Sequence, residues 1–293
     1  MRLPIHIYEK ATDGFGIFYT LEDYLFYFTL HSVLSAKYDV RTLILCIMFN
    51  HTHDEDEFVT EKHMTAFERD LRSEFAQGYN MRYCRSGNLF FKSFGRSVKS
   101  VGKIAKGCFV YIANNPVAGG LCSSALEYRW NFLAYYHNPN PFSEPIVKRR
   151  LSRGFRRALK LIDDSFASSR PLNYALLDRI FAGRTHSERN QLTDYIITKY
   201  NRIDYDAAIS MFGSWENLLR AVDSMAGQEP DIKEDWEDYS TYRRMLKEVL
   251  RLGCRPFLPD SLSPEDKVLL ARKLQSVHGA TKVNIAKFLH IPR

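Results

Sequence analysis

The sequence predicts an α+β fold in which a half that mixes strands and helices precedes a half made of helices. Strand-like and helix-like patterns alternate up to about residue 140, which is typical of an α/β or α+β sheet layer. A segment rich in proline and asparagine, HNPNPFSEP, then fills residues 137–145, and only helical patterns follow it. We therefore expect one region at residues 1–140 and a second at residues 141–293.

The first region holds six predicted elements. Its two longest helices carry apolar side chains at spacings of three and four, beginning at Leu21 in one and at Met64 in the other. Pro116 is expected to end the last helix, because proline has no backbone N–H to donate. In chain order the elements are a strand at IHIY (residues 5–8), a helix over 21–38, an apolar strand over 43–50, a helix over 61–77, a strand over 88–94 and a helix over 102–115.

The second region is predicted to be entirely helical. Ser263, Pro264 and Glu265 form a helix start, with a capping hydroxyl, a proline in the first turn and an acid near the positive end of the helix dipole. The tail 264–293 has the pattern of a partial helix-turn-helix, or alternatively of a helical hairpin that packs on its neighbours. The predicted helices span residues 145–167, 173–183, 186–199, 204–210, 215–225, 237–252 and 264–277, and Thr281 opens a further one.

Composition limits the classes of protein that fit. The 293 residues are 45% hydrophobic, enough to bury a core, and no window of about 18 apolar residues predicts a membrane span. Five cysteines without a CxxC pair, and an N-terminus without an apolar signal core, favour a reduced cytoplasmic compartment. The net charge of +7 and the pI near 9.1 favour a polyanionic partner, and hence a nucleoid-associated protein.

The stretch LILCIMFNHTHDEDE, residues 43–57, carries two histidines and then four consecutive acids after an apolar run. On a strand, His51 and His53 point to the same face, so both imidazoles can bind one divalent metal if a third ligand lies nearby. The alternative is that they are the polar end of a strand that reaches solvent. The four acids at 54–57 also have two interpretations: they lie on a solvent-facing loop, or they act as additional metal ligands.

A second polar pair follows about sixty residues later, in CFVYIANNPVAGG. Tyr111 and Asn115 are four residues apart and share one face of the predicted helix. A tyrosine offers a phenol nucleophile and an asparagine offers an amide oxygen for a metal, although a tyrosine on an amphipathic helix is commonly a core residue.

Four segments in this order resemble a known family: FNHTH at 49–53, YCRSGNLFFKSF at 83–94, YIANNPVAGGL at 111–121 and EYRWNF at 127–132. They are similar to the REP-associated tyrosine transposases, single-tyrosine HUH transposases of bacterial insertion sequences. The opening HIYEKATDGFGIF and the following LEDY are also similar to the start of that family, and the resemblance covers roughly residues 4–136. The matching residues are Asn50, His51, His53, Arg85, Gly87, Leu89, Phe90, Tyr111, Ile112, Asn115, Pro116, Val117, Tyr128, Arg129 and Trp130.

The resemblance implies a ferredoxin-like α+β domain, dimeric assembly and action on single-stranded or hairpin DNA with Mg²⁺ or Mn²⁺. His51, His53 and Asn115 would be the metal ligands. Tyr111 would be the nucleophile, and its attack would leave a 5′-phosphotyrosine and a free 3′-OH.

Several positions depart from the family pattern. Thr52 replaces an aliphatic residue between the histidines, the acids 54–57 replace leucines or valines, Phe49 replaces a proline, and Ala118 replaces a basic residue. Carboxylates beside the site would repel a DNA phosphate. A domesticated relative that binds DNA and cleaves it weakly or not at all is therefore the alternative to a nuclease. A metal enzyme unrelated to DNA would leave the basic segment at 145–160 unexplained.

Two basic segments are candidates for DNA contact. Residues 145–160 hold seven lysines or arginines and no acid, which fits either a phosphate-binding face or a solvated basic face. In the first half, cations lie among aromatic residues, a mixture suited to single strands because rings stack on bases. The predicted DNA-binding residues are Arg82, Arg85, Lys92, Arg96, Lys148, Arg149, Arg150, Arg153, Arg156 and Arg157.

Overall fold

The protein is α+β, and its sheet is antiparallel throughout the part of the chain that is described. The structure is a computed structural model that describes residues 2, 4–12, 16–91, 94–99, 102–147, 149, 151–224, 236–252, 262–289 and 291. Within those residues the strands are β1 (Pro4–Lys10), β2 (Arg41–Ile47), β3 (His51–Glu57) and β4 (Gly95–Val98). The helices are α1 (Leu21–Tyr38), α2 (Glu61–Arg82), α3 (Gly102–Ala118), α4 (Arg153–Ala167), α5 (Tyr174–Phe181), α6 (His186–Tyr200), α7 (Tyr205–Phe212), α8 (Trp215–Ser224), α9 (Trp236–Arg251), α10 (Pro264–Leu274) and α11 (Lys282–Leu289).

The strand order is β2-β3-β1-β4, so β3 is an inner strand with a hydrogen-bonded neighbour on each side. It pairs with β2 through a tight connection at residues 48–50 and with β1 in the register Lys10↔His51 and Tyr8↔His53. The predicted strand over 43–50 is therefore wrong at its C-terminal end. The apolar strand stops at Ile47, and His51 opens a new strand after the turn.

The two faces of β3 lie under different helices. Thr52 contacts α1, since its hydroxyl lies 3.3 Å from the hydroxyl of Tyr27. His51 points the other way and contacts Asn115 of α3. The period of two along a strand therefore assigns odd-numbered residues of β3 to the α3 side and even-numbered residues to the side of α1 and α2.

Further predicted element boundaries in the first region are wrong. Within the described residues 88–91 and 94 of the segment predicted as a strand over 88–94, there is a single bridge, between Ala11 and Phe90, and the fourth strand begins at Gly95. Pro116 does not stop α3, which continues to Ala118. A proline near a helix end removes only one backbone hydrogen bond, and the last turn here is completed by the N–H of Gly119 donating to the carbonyl of Asn115.

The helices of the second region complete the cores of the first. Phe155, Ile162 and Ile196, from α4 and α6, share one hydrophobic cluster with α1 and α2. Leu218 of α8 shares another with α3, together with residues of α9 to α11. Apolar contacts therefore continue across residue 140, while the division into two regions stays a prediction.

The predicted helices of the second region are present, with shifted ends. The largest difference is at α4, which begins at Arg153 with Ser152 as its N-cap, whereas residues 145–147 are not helical. In the tail, α10 and α11 follow the predicted order around Gly279, whose φ of +81° is one that glycine adopts readily. Buried Leu274 and Phe288 pack them into the same cluster as α9, and the role of a partial helix-turn-helix in DNA binding stays a prediction.

A buried carboxylate, Asp23, joins three helical segments. It forms the capping box of α1 with Thr20, and its other oxygen accepts hydrogen bonds of 2.7 Å from the hydroxyls of Tyr83 and Tyr174. Burial raises the pKa of Asp23 to about 6 while these donors lower it, so the group is ionised at neutral pH. This one anion connects the start of α1 to the end of α2 and to α5.

Replacing Asp23 by Asn should destabilise the protein strongly. The amide would turn an N–H toward hydroxyl and backbone donors, and an unsatisfied buried polar group costs about 1–3 kcal/mol, more where a charge is lost. We expect urea denaturation to show a loss of about 3 kcal/mol in the free energy of unfolding. The exposed Asp223→Asn serves as control. A loss below about 0.5 kcal/mol for Asp23→Asn would contradict the assigned role.

Candidate active site

The four residues predicted to form a site lie together between β3 and α3. His51 and His53 are supplied by β3, and Tyr111 and Asn115 come from one face of α3. The ring of Tyr111 lies 5.5 Å from the ring of His53, and the two imidazoles are 5.0 Å apart. Residues some sixty positions apart in sequence thus form one cluster.

His51 and Asn115 face each other through atoms that both suit a metal. Nε2 of His51 lies 3.3 Å from Oδ1 of Asn115, and Nδ1 of His51 lies 2.7 Å from Oδ1 of Asn50. If Nδ1 donates its proton to Asn50, Nε2 carries a lone pair and meets another acceptor. Two ligands of one metal at about 2.1 Å are about 3 Å apart, so this pair has the spacing of adjacent ligands.

His6 belongs to the cluster, although no pattern in the sequence identified it. Its Nε2 lies 2.9 Å from Nδ1 of His53, and its ring stacks on His53 at 5.1 Å and meets Tyr111 edge-on at 6.0 Å. When Nδ1 of His53 donates this hydrogen bond, Nε2 of His53 carries the lone pair that a metal requires. The alternation in IHIY was the available signal, since it places His6 and Tyr8 on one face of β1.

The turn that carries His51 is held from several sides. Phe49 accepts backbone hydrogen bonds from Ile17 and Phe18, and a Cβ at Gly16 would lie 2.4 Å from the Phe49 ring. The hydroxyl of Tyr128, from the Tyr-Arg-Trp segment, donates to the carbonyl of Ile47 at 2.8 Å. Tyr128 and Phe49 therefore stabilise the β2–β3 connection.

An aromatic ring and a cation lie beside the cluster. Tyr8 is 38% exposed, its ring is 6.2 Å from that of His53, and it lies over Gly95, where a Cβ would come within 1.9 Å of the phenol ring. Lys10 is directly opposite His51 in the register of β1 and β3. A ring and an ammonium group next to two imidazoles suit a nucleotide and its phosphate.

The sequence departures are accommodated inside the protein. Thr52 is fully buried and its hydroxyl pairs with that of Tyr27, so it occupies a core position. The acids at 54–57 do not form the solvent-facing loop that was considered. Asp54, Glu55 and Asp56 are buried within β3, and Glu57 pairs with Arg41 at 3.1 Å.

Glu55 lies on the same face of β3 as the two histidines. Burial raises its pKa to about 8, an effect that Lys99 partly offsets, so the side chain is mostly neutral at pH 7. The repulsion of phosphate expected from an ionised Glu55 is correspondingly weaker.

Asp54 and Asp56 point to the opposite face, where they meet His31 of α1. One ligand atom from each of these three buried residues lies within 4.8 Å of the other two, so they could hold a metal ion. The acidic run was considered as a set of metal ligands, but His31 was not, because a single histidine inside an apolar helix carries no spacing signal.

The predicted DNA-binding cations have different surroundings. Arg82 makes a double hydrogen bond with Asp178 of α5, Arg96 pairs with Glu61 at 2.6 Å, and Arg85 lies over the ring of Tyr79. Lys92, Lys148 and Arg150 lie outside the described residues. Arg149, Arg153, Arg156 and Arg157 are exposed.

The exposed arginines of α4 lie on the layer opposite the histidine cluster. Phe155 and Ile162 pack α4 toward α5, α6 and α1, and α1 covers the face of β3 that carries Thr52. The histidines are on the α3 face. A DNA strand that contacts both surfaces must therefore pass around an edge of the sheet.

No family model, curated protein or solved structure matches this chain. Among the described helices, none is both long enough and apolar enough to cross a membrane.

Replacing His6 by Phe should weaken metal binding at the histidine cluster. The phenyl ring keeps the stacking on His53 but removes the hydrogen bond at Nδ1, and losing such an outer partner typically lowers metal affinity about 10–100-fold. The measurement is a calorimetric Mn²⁺ titration. Only the binding that is present in the wild type and lost in His51→Ala is assigned to the histidine cluster. His6→Asn, which keeps a hydrogen-bonding group, should lose less. Equal affinity of His6→Phe and wild type would contradict this role.

Proposed function

We propose that the protein is a metal-dependent single-stranded DNA transposase or endonuclease that nicks and rejoins DNA at hairpin-containing sites through a 5′-phosphotyrosine intermediate. The observation that carries the proposal is the convergence of two imidazoles, an amide oxygen and a phenol between β3 and α3. The βαββαβ order of β1 to β4 with α1 and α2, and the strand order β2-β3-β1-β4, support the ferredoxin-like assignment.

The residues present fit a divalent metal. His51, His53 and Asn115 would hold it, and the facing acceptors on His51 and Asn115 are the observation in favour. Mg²⁺ and Mn²⁺ are the candidates, and two imidazole ligands favour Mn²⁺. Bound there, the ion would neutralise the nonbridging oxygens of a phosphodiester and so lower the barrier to attack by an anion.

Tyr111 is the proposed nucleophile. Its phenol oxygen bonds to phosphorus while its proton is lost, the bond from phosphorus to the 3′ oxygen breaks, and the departing oxygen gains a proton. The products are a 5′-phosphotyrosine and a free 3′-OH. In the reverse sense, the 3′-OH of a second strand attacks the phosphotyrosine, forms a new phosphodiester and releases Tyr111.

Tyr8 and Lys10 are suited to hold the strand at the site. Tyr8 exposes part of its ring next to His53 and can stack on a base, and Lys10 can bind the adjoining phosphate. The family resemblance implies a homodimer in the cytoplasm, associated with the nucleoid, and we include that assembly and location in the proposal.

A DNA-binding protein without cleavage activity is the second candidate. The observation in its favour is the burial of the proposed ligands, since His51 is 7% exposed and His53 and Asn115 are each 1% exposed. A phosphate needs access to these atoms, so a closed cluster fits a protein that binds DNA on its outer surface and leaves it intact.

Tyr111→Phe should abolish a covalent adduct with DNA. The test incubates hairpin oligonucleotides, labelled at the 5′ or the 3′ end, with Mn²⁺ and separates the products on a denaturing gel. The wild type should form a labelled adduct with the 3′-labelled oligonucleotide and release the 5′ label in a fragment that ends in a 3′-OH. Tyr111→Phe should form no adduct because no phenol oxygen remains.

Tyr8→Phe is the matched control, because Tyr8 also lies near His53 and the change keeps its ring. It should still form the adduct. Adduct formation by Tyr111→Phe would remove the assigned nucleophile. A gel shift without an adduct in the wild type would favour the binding protein.

The exposed arginines of α4 should contribute to DNA affinity in proportion to their charge. Replacing Arg153, Arg156 and Arg157 by Ala should weaken binding and reduce the slope of log affinity against log salt by about 2, since each single-strand phosphate contact contributes about 0.7. Arg82→Ala is the control, because Arg82 already pairs with Asp178. An unchanged salt slope in the triple variant would mean that the basic face of α4 is only solvated.

A further inference from the structure

A group of buried acids lies between the sheet and the helices α1 and α2, on the face of β3 that is turned away from Tyr111. Its members are Asp54 and Asp56 of β3, Glu9 of β1 and Glu68 of α2, and none is more than 3% exposed. His31 of α1, 3% exposed, points into the group, with Nε2 3.8 Å from an oxygen of Asp56.

The tautomer of His31 is set by its neighbour Ser35. The Ser35 hydroxyl donates to the backbone carbonyl of His31 at 2.8 Å, so its oxygen is the acceptor for Nδ1–H of His31 at 3.3 Å. Nε2 then carries a lone pair and is directed at carboxylate oxygens. Burial also lowers the pKa of His31 to about 3, so the imidazole is neutral and makes no ion pair with Asp56.

Nε2 of His31 and the carboxylate oxygens of Asp54 and Asp56 are all hydrogen-bond acceptors, and they face one another inside the core. In the described part of the chain, Nε2 of His31 and Oδ1 of Asp54 have no hydrogen-bond partner, and the donor near the Asp56 carboxylate is the hydroxyl of Thr42. A buried carboxylate without a partner lowers the free energy of unfolding by roughly several kcal/mol, so native proteins rarely leave one unsatisfied. A proton or a bound cation between these atoms would remove that cost.

The group has too few cations of its own. Arg72 places Nε 3.1 Å from Glu9, at one side of the group. No other cation is recorded against these acids among the described residues. Protons are the competing occupants, since burial raises the pKa values of Glu9 and Asp56 to about 7. A proton on Asp56 could be donated to Nε2 of His31, but the 3.8 Å between these two atoms is longer than a hydrogen bond, so the geometry fits a larger occupant better.

We propose that His31, Asp54 and Asp56 form a second metal site, which holds a divalent first-row transition ion such as Mn²⁺ inside the core. The atoms lie within 4.8 Å of one another, so small side-chain shifts would bring all three to one ion at bond lengths of about 2.1 Å. One imidazole with two carboxylates is a ligand set for such ions, and Glu68 is a nearby further carboxylate. The ion ties β3 to α1 and is structural, because it lies on the face opposite the proposed nucleophile.

The test separates this site from the histidine cluster. In the background His51→Ala, Asn115→Ala, which removes two proposed ligands of the first site, the protein should still bind one equivalent of Mn²⁺, measured as loss of the free-ion electron paramagnetic resonance signal. EDTA should lower the melting temperature, and Mn²⁺ should restore it, by about 5 °C. Adding His31→Gln and Asp56→Asn to the background should weaken Mn²⁺ binding about tenfold or more.

Matched surface changes serve as the control. His186→Gln with Asp223→Asn, both exposed, should leave Mn²⁺ binding in the background unchanged. Retention of full binding by the His31→Gln, Asp56→Asn protein would overturn the proposal. So would a background protein that binds no Mn²⁺ and has the same melting temperature in EDTA and Mn²⁺, and this result needs no change in the core. The second site is independent of the proposed function, since adduct formation by Tyr111 is scored separately.

Discussion

The structure depends on a central strand, β3, that is almost wholly polar and almost wholly buried. HTHDEDE lies between two neighbouring strands and under helices on both sides, in a place where sheets covered on both faces usually carry apolar residues. The backbone of β3 is satisfied by the two ladders. Each polar side chain must instead pair with a polar group or an ion in the helical layer that it faces. This requirement accounts for the histidine cluster on one face of β3 and the acidic cluster on the other.

Alternation along β3 separates two kinds of chemistry. His51 and His53 meet a helix that supplies an amide and a phenol, whereas Asp54 and Asp56 meet a helix that supplies a single imidazole. In an apolar core, so many buried polar side chains would destabilise the fold. Here the side chains of β3 supply ligands both to the proposed reaction site and to the proposed structural metal. The hydroxyl of Thr52 is likewise satisfied inside the core, since Tyr27 provides the matching hydroxyl.

The sequence predicted those features that follow a regular spacing. Amphipathic helices were found, and the pairs His51 with His53 and Tyr111 with Asn115 were found, because periods of two and four are visible locally. Strand β3 was missed because a run of charged residues ordinarily marks a solvated loop, and its burial follows only from pairing with distant strands. His6 and His31 were missed because each is a lone histidine whose partners lie elsewhere in the chain.

The most direct measurement is a crystal structure of the protein soaked with Mn²⁺, with anomalous scattering recorded at the manganese absorption edge. The account requires two maxima on opposite faces of β3, one between Nε2 of His51 and Oδ1 of Asn115 and one among His31, Asp54 and Asp56. Full-occupancy manganese bound elsewhere, with neither position filled, would contradict the claim that this strand carries metal ligands on both of its faces.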